Sequence, residues 1–387
     1  MIVAERNVTA GRAAFYNDNR LKIGFFGANC SSGRYVTEVP ERWPGTWDDN
    51  LELAQAADAA GIDFLLPIGR WKGYGGSTDY QGASYETITW ATALLAATKR
   101  ITVFGTVHAP LFHPLIAAKQ MVTADHVSHG RFGLNVVCGW NEGEFEMFGV
   151  EAKDHAGRYE QGQEWLDAVK LAWTRDDADF AGKYFSMKGV RENPKPYGAG
   201  RPLIMNAGAS PQGRSFALRN CDALFTSVRK GTLEEAGLEE AAAEVQSAKT
   251  EARAQGREIN VYTVGVVVCR PTRADAEAYH RYVTEEHADW AAVNNMIMMR
   301  GGAKAPPDEF ARLKKQFANG NSGLPFIGSP DDVAAGLAAV SRAGFTGIAL
   351  SFVNYLDEFS YFRDEVIPRL ERLGVRGPVA PSERSSA

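Results

Sequence analysis

Short apolar or β-branched runs recur along the chain, and between them lie longer segments in which apolar residues return at helical spacing. The runs read as buried strands, the segments as amphipathic helices, and their alternation as βα units feeding a parallel sheet. Eight runs fit the strand pattern: Leu21 to Ala28, Phe64 to Gly69, Ile101 to Val107, Phe132 to Gly139, Pro202 to Gly208, Ala223 to Ser227, Ile259 to Cys269 and Gly347 to Phe352. Helical periodicity is clearest over Asp48 to Ala60, Glu86 to Thr98, Pro114 to Ser128, Tyr159 to Trp173, Leu233 to Gln255 and Pro330 to Ala343. Eight β-then-α units predict an α/β fold closed as a (β/α)₈ TIM barrel. An open doubly wound sheet uses fewer strands and marks its first turn with a glycine fingerprint. No G-x-G-x-x-G follows the first run, and no Walker A sequence is present. Gly73-Tyr74-Gly75-Gly76, beyond the second run, reads as a flexible βα loop.

The seventh and eighth runs are separated by about 75 residues, far more than one crossover needs. An insertion is therefore expected at about 283–327, its glycine-bearing stretches Met296 to Gly302 and Ala318 to Gly323 serving a lid over the active-site face. The expected organisation is an N-terminal extension over 1–20, the barrel over 21–375, and a disordered Pro- and Ser-rich tail over 376–387.

Composition narrows the partners. A formal net charge of −5 and the absence of any like-charge block leave no basic footprint for nucleic acid or anionic lipid. No stretch has the apolar length of a membrane span or the apolar centre of a secretory signal. Cys30, Cys138, Cys221 and Cys269 are widely separated with no C-x-x-C pair, which predicts reduced thiols in a cytoplasmic protein and no metal site. Small-molecule chemistry is the expectation.

In such a barrel the reactive groups stand at the C-terminal ends of strands. Ser210, after the fifth run and before a helix, suits an N-cap, and a helix start also binds phosphate. His108, just past the third run, is the histidine placed to meet a ligand and is a candidate base, whereas His126 and His129 suit a helix end. Thr106 ends the third run, and Asn135 and Trp140 straddle the end of the fourth. A buried Asn either braces the barrel or addresses a ligand. Arg158, Tyr159 and Glu144 read equally well as surface residues.

The run Gly130-Arg131-Phe132-Gly133-Leu134-Asn135-Val136-Val137-Cys138-Gly139-Trp140, followed by Glu144-Phe145 and Phe148-Gly149, resembles the central signature of flavin-dependent monooxygenases of the bacterial luciferase family. The similarity extends from about Leu21 to Leu373 and is greatest to the branch of pyrimidine and dimethylsulfone monooxygenases. That resemblance implies a luciferase-type barrel using FMN, as FMNH₂, with O₂ as co-substrate. It implies flavin contacts at Gly69, Arg70, Asn135, Glu144, Arg158, Tyr159 and Ser210. It further implies an oxygen pocket at Leu66, Thr106, Asn135 and Trp140, and oxygen delivery through a flavin N5–oxygen adduct.

No nicotinamide site is recognisable, so FMNH₂ is expected from a separate NAD(P)H-dependent flavin reductase. The family also implies a homodimer or homotetramer. Alkanesulfonate monooxygenases place an arginine and a histidine on the seventh strand where this chain has Val264 and Val266, which favours a small neutral substrate such as a cyclic amide, N-heterocycle or sulfone. The rival readings are an F420-dependent oxidoreductase of the same fold and a non-catalytic flavin-binding protein.

Overall fold

The computed structural model describes residues 12, 15–198, 200–208, 210–228, 231–302, 305–320 and 323–378. Residues 379–387 of the expected tail, most of 1–14 and two positions of the Ala318 to Gly323 stretch lie outside the described residues. Among the described residues eleven strands form: β1 (Lys22–Phe26), β2 (Phe64–Leu66), β3 (Thr102–His108), β4 (Phe132–Val137), β5 (Ala178–Ala181), β6 (Ser186–Val190), β7 (Leu203–Asn206), β8 (Ala223–Phe225), β9 (Asn260–Cys269), β10 (Leu324–Gly328) and β11 (Gly347–Ser351). Eight of them run parallel in the order β9-β11-β1-β2-β3-β4-β7-β8, and pairing of β8 with β9 closes the barrel. Each of the eight predicted runs overlaps one of these strands, and seven enclose theirs entirely, β3 running one residue further to His108.

Strand alternation sends one set of side chains inward and the other toward the helices. The inward set includes Phe64, Leu66, Phe104, Met205, Tyr262 and Val264. These aromatics are bulky, and glycines on the neighbouring strands make room for them: Gly24 pairs with Phe64, Gly133 with Phe104 and Gly347 with Tyr262. A Cβ at Gly133 would lie 2.4 Å from the Phe104 ring. The N-terminal segment completes this layer, with Phe15 stacked on Tyr262 at 5.4 Å and set edge-on to Phe104 at 5.6 Å. Arg12 anchors it through a buried two-point ion pair to Asp125, at 2.8 and 2.9 Å.

Two features go beyond the barrel pattern. β5 and β6 form an antiparallel hairpin after the helix His155–Thr174. β9 is long enough to serve two layers: Tyr262 to Val266 pair with β11, while Gly265 to Cys269 pair with β10. β10 and the helices Trp290–Met299 and Pro307–Ala318 build the insertion, whose Val293, Met296 and Phe317 pack on Val36, Tyr74 and Tyr80. The glycine loop after β2 is therefore packed rather than flexible. Asp289 accepts from Thr78 N at 2.9 Å and Thr78 Oγ1 at 2.8 Å, Asn295 Nδ2 donates to Tyr74 O at 2.8 Å, and a Cβ at Gly76 would strike Asp289. Among the described residues, no helix is long and apolar enough to cross a membrane.

Candidate active site

The C-terminal ends of β2, β3, β4 and β7 open into one cavity of about 540 Å³. Parallel register puts Thr106 of β3 beside Asn135 of β4, and Asn135 beside Met205 of β7, so Asn206 follows at the same rim. Thr106 Oγ1 donates to the Pro67 carbonyl at 2.6 Å and accepts from Asn135 Nδ2 at 3.1 Å. A carbonyl only accepts, so the threonine proton must go to Pro67, and the asparagine atom facing Thr106 must be an N–H donor. Asn135 Oδ1 is then left buried without a hydrogen-bond partner. Asn206 repeats the arrangement: its Nδ2 donates to Val136 O at 2.6 Å and its Oδ1 is also buried without a partner. Asn135 thus both braces the barrel and presents an acceptor.

His108 lines the same cavity, with Nδ1 buried and without a partner. Burial, helped by Arg70 and opposed by the Glu144 carboxylate, pushes the imidazole down to about 4, so it is neutral near pH 7. Gly69 lets β2 approach this group: a Cβ there would lie 2.8 Å from the His108 ring and 3.1 Å from Thr106 Cγ2.

Arg70 reaches the wall and is held from behind. Its guanidinium donates to Glu144 Oε1 at 3.2 Å, Tyr74 Oη at 3.0 Å and Gln81 Oε1 at 3.3 Å, and lies 5.3 Å from the Trp140 ring centre. Glu144 is buried rather than solvated. It also accepts from the backbone N–H of Trp71 at 2.9 Å and is not on the cavity wall, so it positions the Arg70 loop. Gln81 takes a left-handed backbone, φ 58°, to reach Arg70, a strain typical of a functional loop.

A second element group meets the cavity at Tyr159, whose hydroxyl is within hydrogen-bonding reach of Ser210. Burial raises the Tyr159 phenol, and the Ser210 contact opposes that rise. Ser210 is the N-cap of the helix Pro211–Asn220, accepting from Gly213 N at 3.1 Å. The approach is tight, since a Cβ at Gly213 would lie 2.4 Å from Tyr159 Oη and one at Gly208 would strike the Gly213 backbone. Ser210, Thr226 and Ser227 also line an adjoining space of about 510 Å³. Arg158 is half-buried in the first turn of the helix His155–Thr174, close enough to Cys138 to oppose the burial that pushes that thiol up to about 12.

Of the residues expected from sequence, Gly69, Arg70, Thr106, His108, Asn135, Trp140 and Tyr159 line the cavity. Ser210 stands at the neighbouring helix start, and Glu144 and Arg158 stand behind the wall. Leu66 does not reach the cavity; it lies in the barrel-interior layer, and the lining begins at Pro67. Sequence inspection missed Asn206, which the strand-end argument applied to Asn135 would have found, and the loop residues Arg34 and Arg300, which no motif marks. Among the described residues, no three His, Cys, Asp or Glu side chains are grouped to hold a metal ion.

A polar cavity at the C-terminal mouth of a parallel barrel is where barrel enzymes carry their active sites. The chain belongs to the luciferase-like monooxygenase family, whose model matches residues 21–347. It is 30% identical to the FMNH₂-dependent dimethylsulfone monooxygenase of Pseudomonas putida, over 91% of this chain and 96% of that one. It is 28% identical to the pyrimidine monooxygenase RutA of Acinetobacter baylyi, over 95% and 100%. The structure of DmoA from Hyphomicrobium sulfonivorans shares the fold at a TM-score of 0.81, with 19% identity over 94% of this chain and 90% of that one.

Proposed function

We propose that this protein is an FMN-dependent monooxygenase that receives FMNH₂ from a separate flavin reductase and transfers one oxygen atom from O₂ to a small organic molecule. The observation that carries this reading is the union of two sites. Three buried polar atoms without partners, His108 Nδ1, Asn135 Oδ1 and Asn206 Oδ1, surround one cavity, and Tyr159 links that cavity to the Ser210 helix start. Orphaned buried polar atoms are costly and call for a ligand with complementary groups. A flavin with its N–H-bearing ring and phosphorylated tail meets both needs.

FMN supplies the redox chemistry and the activation of oxygen. The chain's own residues bind, orient and shield it. Ser210, Tyr159 and Arg158 would hold the phosphate with a helix start, a phenol and a charge. Asn135 and Asn206 present their amide oxygens to N–H groups of the ring or the substrate, while the remaining Asn135 N–H is available to charge developing on oxygen. The neutral His108 can accept a proton without first losing one. The insertion packs on the β1 and β2 loops beside the cavity, where it would help to keep water from the reacting atoms. Val264 and Val266 give β9 no cation, which suits a cyclic amide, N-heterocycle or sulfone as the reacting part of the substrate. Anaerobic titration with FMNH₂ and with reduced F420, followed by mixing with O₂, tests the reading: FMNH₂ binds saturably and then supports oxygen-dependent product, and a preference for F420 would replace the proposal with hydride transfer.

A further inference from the structure

Asn206 ends β7, is 3% exposed and lines the cavity, and no sequence motif marks it. Its Nδ2 donates to the Val136 carbonyl at 2.6 Å, one residue beyond the last register pair of β4 with β7, Asn135 with Met205. A carbonyl only accepts, so the amide cannot be turned over, and Oδ1 is fixed as the atom without a partner. Asn135 is fixed in the same sense by Thr106 Oγ1, whose own proton goes to the Pro67 carbonyl. The ends of β4 and β7 thus hold two buried acceptors that cannot exchange places with donors. Ser210, the N-cap of the helix Pro211–Asn220, follows on the same βα turn, with Ala207 on the cavity wall and Gly208 on the adjoining space. A ligand whose tail meets the Ser210 helix start therefore passes Asn206 on its way into the cavity.

We infer that Asn206, acting with Asn135, selects the oxidation state of the flavin: it is a specificity residue that favours FMNH₂ over FMN. This rests on the reading of the cavity as the FMN site and assigns the Asn206 acceptor to the ring instead of the substrate. Donor count separates the two states. The oxidised isoalloxazine carries a single N–H, at N3, and its N1 and N5 are bare acceptors. The reduced ring carries N–H at both N3 and N5, whichever way N1 is protonated. A reduced ring can pair both fixed acceptors, whereas an oxidised ring leaves one unpaired or sets a nitrogen lone pair against it. The ring carbonyls accept in both states, so a donor on the wall such as Arg70 serves both. Leaving one buried acceptor unpaired is enough to change an affinity by roughly tenfold. Oxidised FMN is then held more weakly than FMNH₂ and can leave to be reduced elsewhere.

The test measures the affinities for FMNH₂, titrated anaerobically, and for FMN, together with the midpoint potential of the bound flavin, in the absence of substrate. FMNH₂ should bind at least about tenfold more tightly than FMN, which raises the bound potential by about 30 mV or more above that of free flavin for a two-electron couple. Asn206→Leu is close in shape and removes the acceptor. It should lower the FMNH₂-to-FMN affinity ratio by roughly tenfold, and the bound potential by about 30 mV, while FMN binds as well as before or better. Asn206→Ala, whose gap admits water able to donate or to accept, should lower the ratio as well. Retained FMN affinity and thermal unfolding show that the variants are folded, and the ratio within each variant is its own control. Equal affinity of the wild-type protein for the two states, or a ratio and potential unchanged in both variants, would overturn the inference while leaving the cofactor reading in place. If the wild-type protein bound neither state, the cofactor reading would fail and the inference with it.

Discussion

The Thr106 hydroxyl has a single proton and gives it to the Pro67 carbonyl, so toward Asn135 it can only accept. It therefore acts by aiming the Asn135 amide. Thr106→Val should bind FMN almost normally yet lose roughly a hundredfold in the rate of product formation, because the preorganised N–H donor is no longer held. Thr106→Ser keeps the hydroxyl and should retain most activity. Single-turnover yield with pre-bound FMNH₂ measures both, and a Val variant with full rate and yield would return Thr106 to a packing role. His108 gives a pH prediction. Its folded-state value, about 4, lies below the ordinary histidine value, so between about 6.5 and 4 the unfolded chain takes up a proton that the native site refuses. Stability should fall as pH drops through that window, and His108→Gln should flatten the slope in denaturant titrations. An unchanged slope would mean that His108 is protonated in the native protein. At this scale the sequence revealed polar residues at strand ends, Thr106, His108 and Asn135, because strand position alone locates them. It could not reveal which proton each hydroxyl gives away, nor bring Arg34 and Arg300 together, because tertiary contacts set both.

The helix Pro211–Asn220 and the first turn of the helix His155–Thr174 form the unit that we assign to the phosphate. Ser210 serves as N-cap and Tyr159 packs against Gly213, while Arg158 makes no hydrogen bond or ion pair from its guanidinium among the described residues. Arg158→Ala should weaken FMN binding roughly tenfold or more and leave riboflavin affinity nearly unchanged, because only FMN has the phosphate to lose. Equal losses for both ligands, measured by fluorescence quenching, would remove Arg158 from the phosphate site. All eight barrel strands were legible, since buried parallel strands are continuous apolar runs. The β5–β6 hairpin was not, as its residues are half-exposed and carry little apolar signal. β10 was hidden because Leu324–Gly328 is short and contains a proline, and its pairing depends on β9 extending beyond the barrel.

For the whole molecule, exposed apolar side chains stand on two helices that flank β4 in sequence. Ile116 and Val127, 58% and 40% exposed, fall on one face of the helix Pro114–Val127, and Met147 and Phe148 are exposed at the C-terminal end of the helix Glu142–Met147. We propose a homodimer or homotetramer that covers this surface; a strictly monomeric species in light scattering at micromolar concentration would contradict it. The barrel as a class was readable from alternation alone, and the family from the Gly130 to Trp140 run. The insertion's location was readable too, but its packing on the β1 and β2 loops was not, because residues such as Asp289 and Thr78 meet only in three dimensions. The central claim is that oxygen from O₂ enters a small organic molecule in the cavity of Thr106, His108 and Asn135. The direct measurement is a single turnover of protein-bound FMNH₂ with ¹⁸O₂ against a panel of small cyclic amides, N-heterocycles and sulfones, read by mass spectrometry. The account predicts one ¹⁸O atom in the product, dependent on FMNH₂ and lost with Thr106→Val. Recovery of all the label as hydrogen peroxide across the panel, or product oxygen drawn from water, would contradict it.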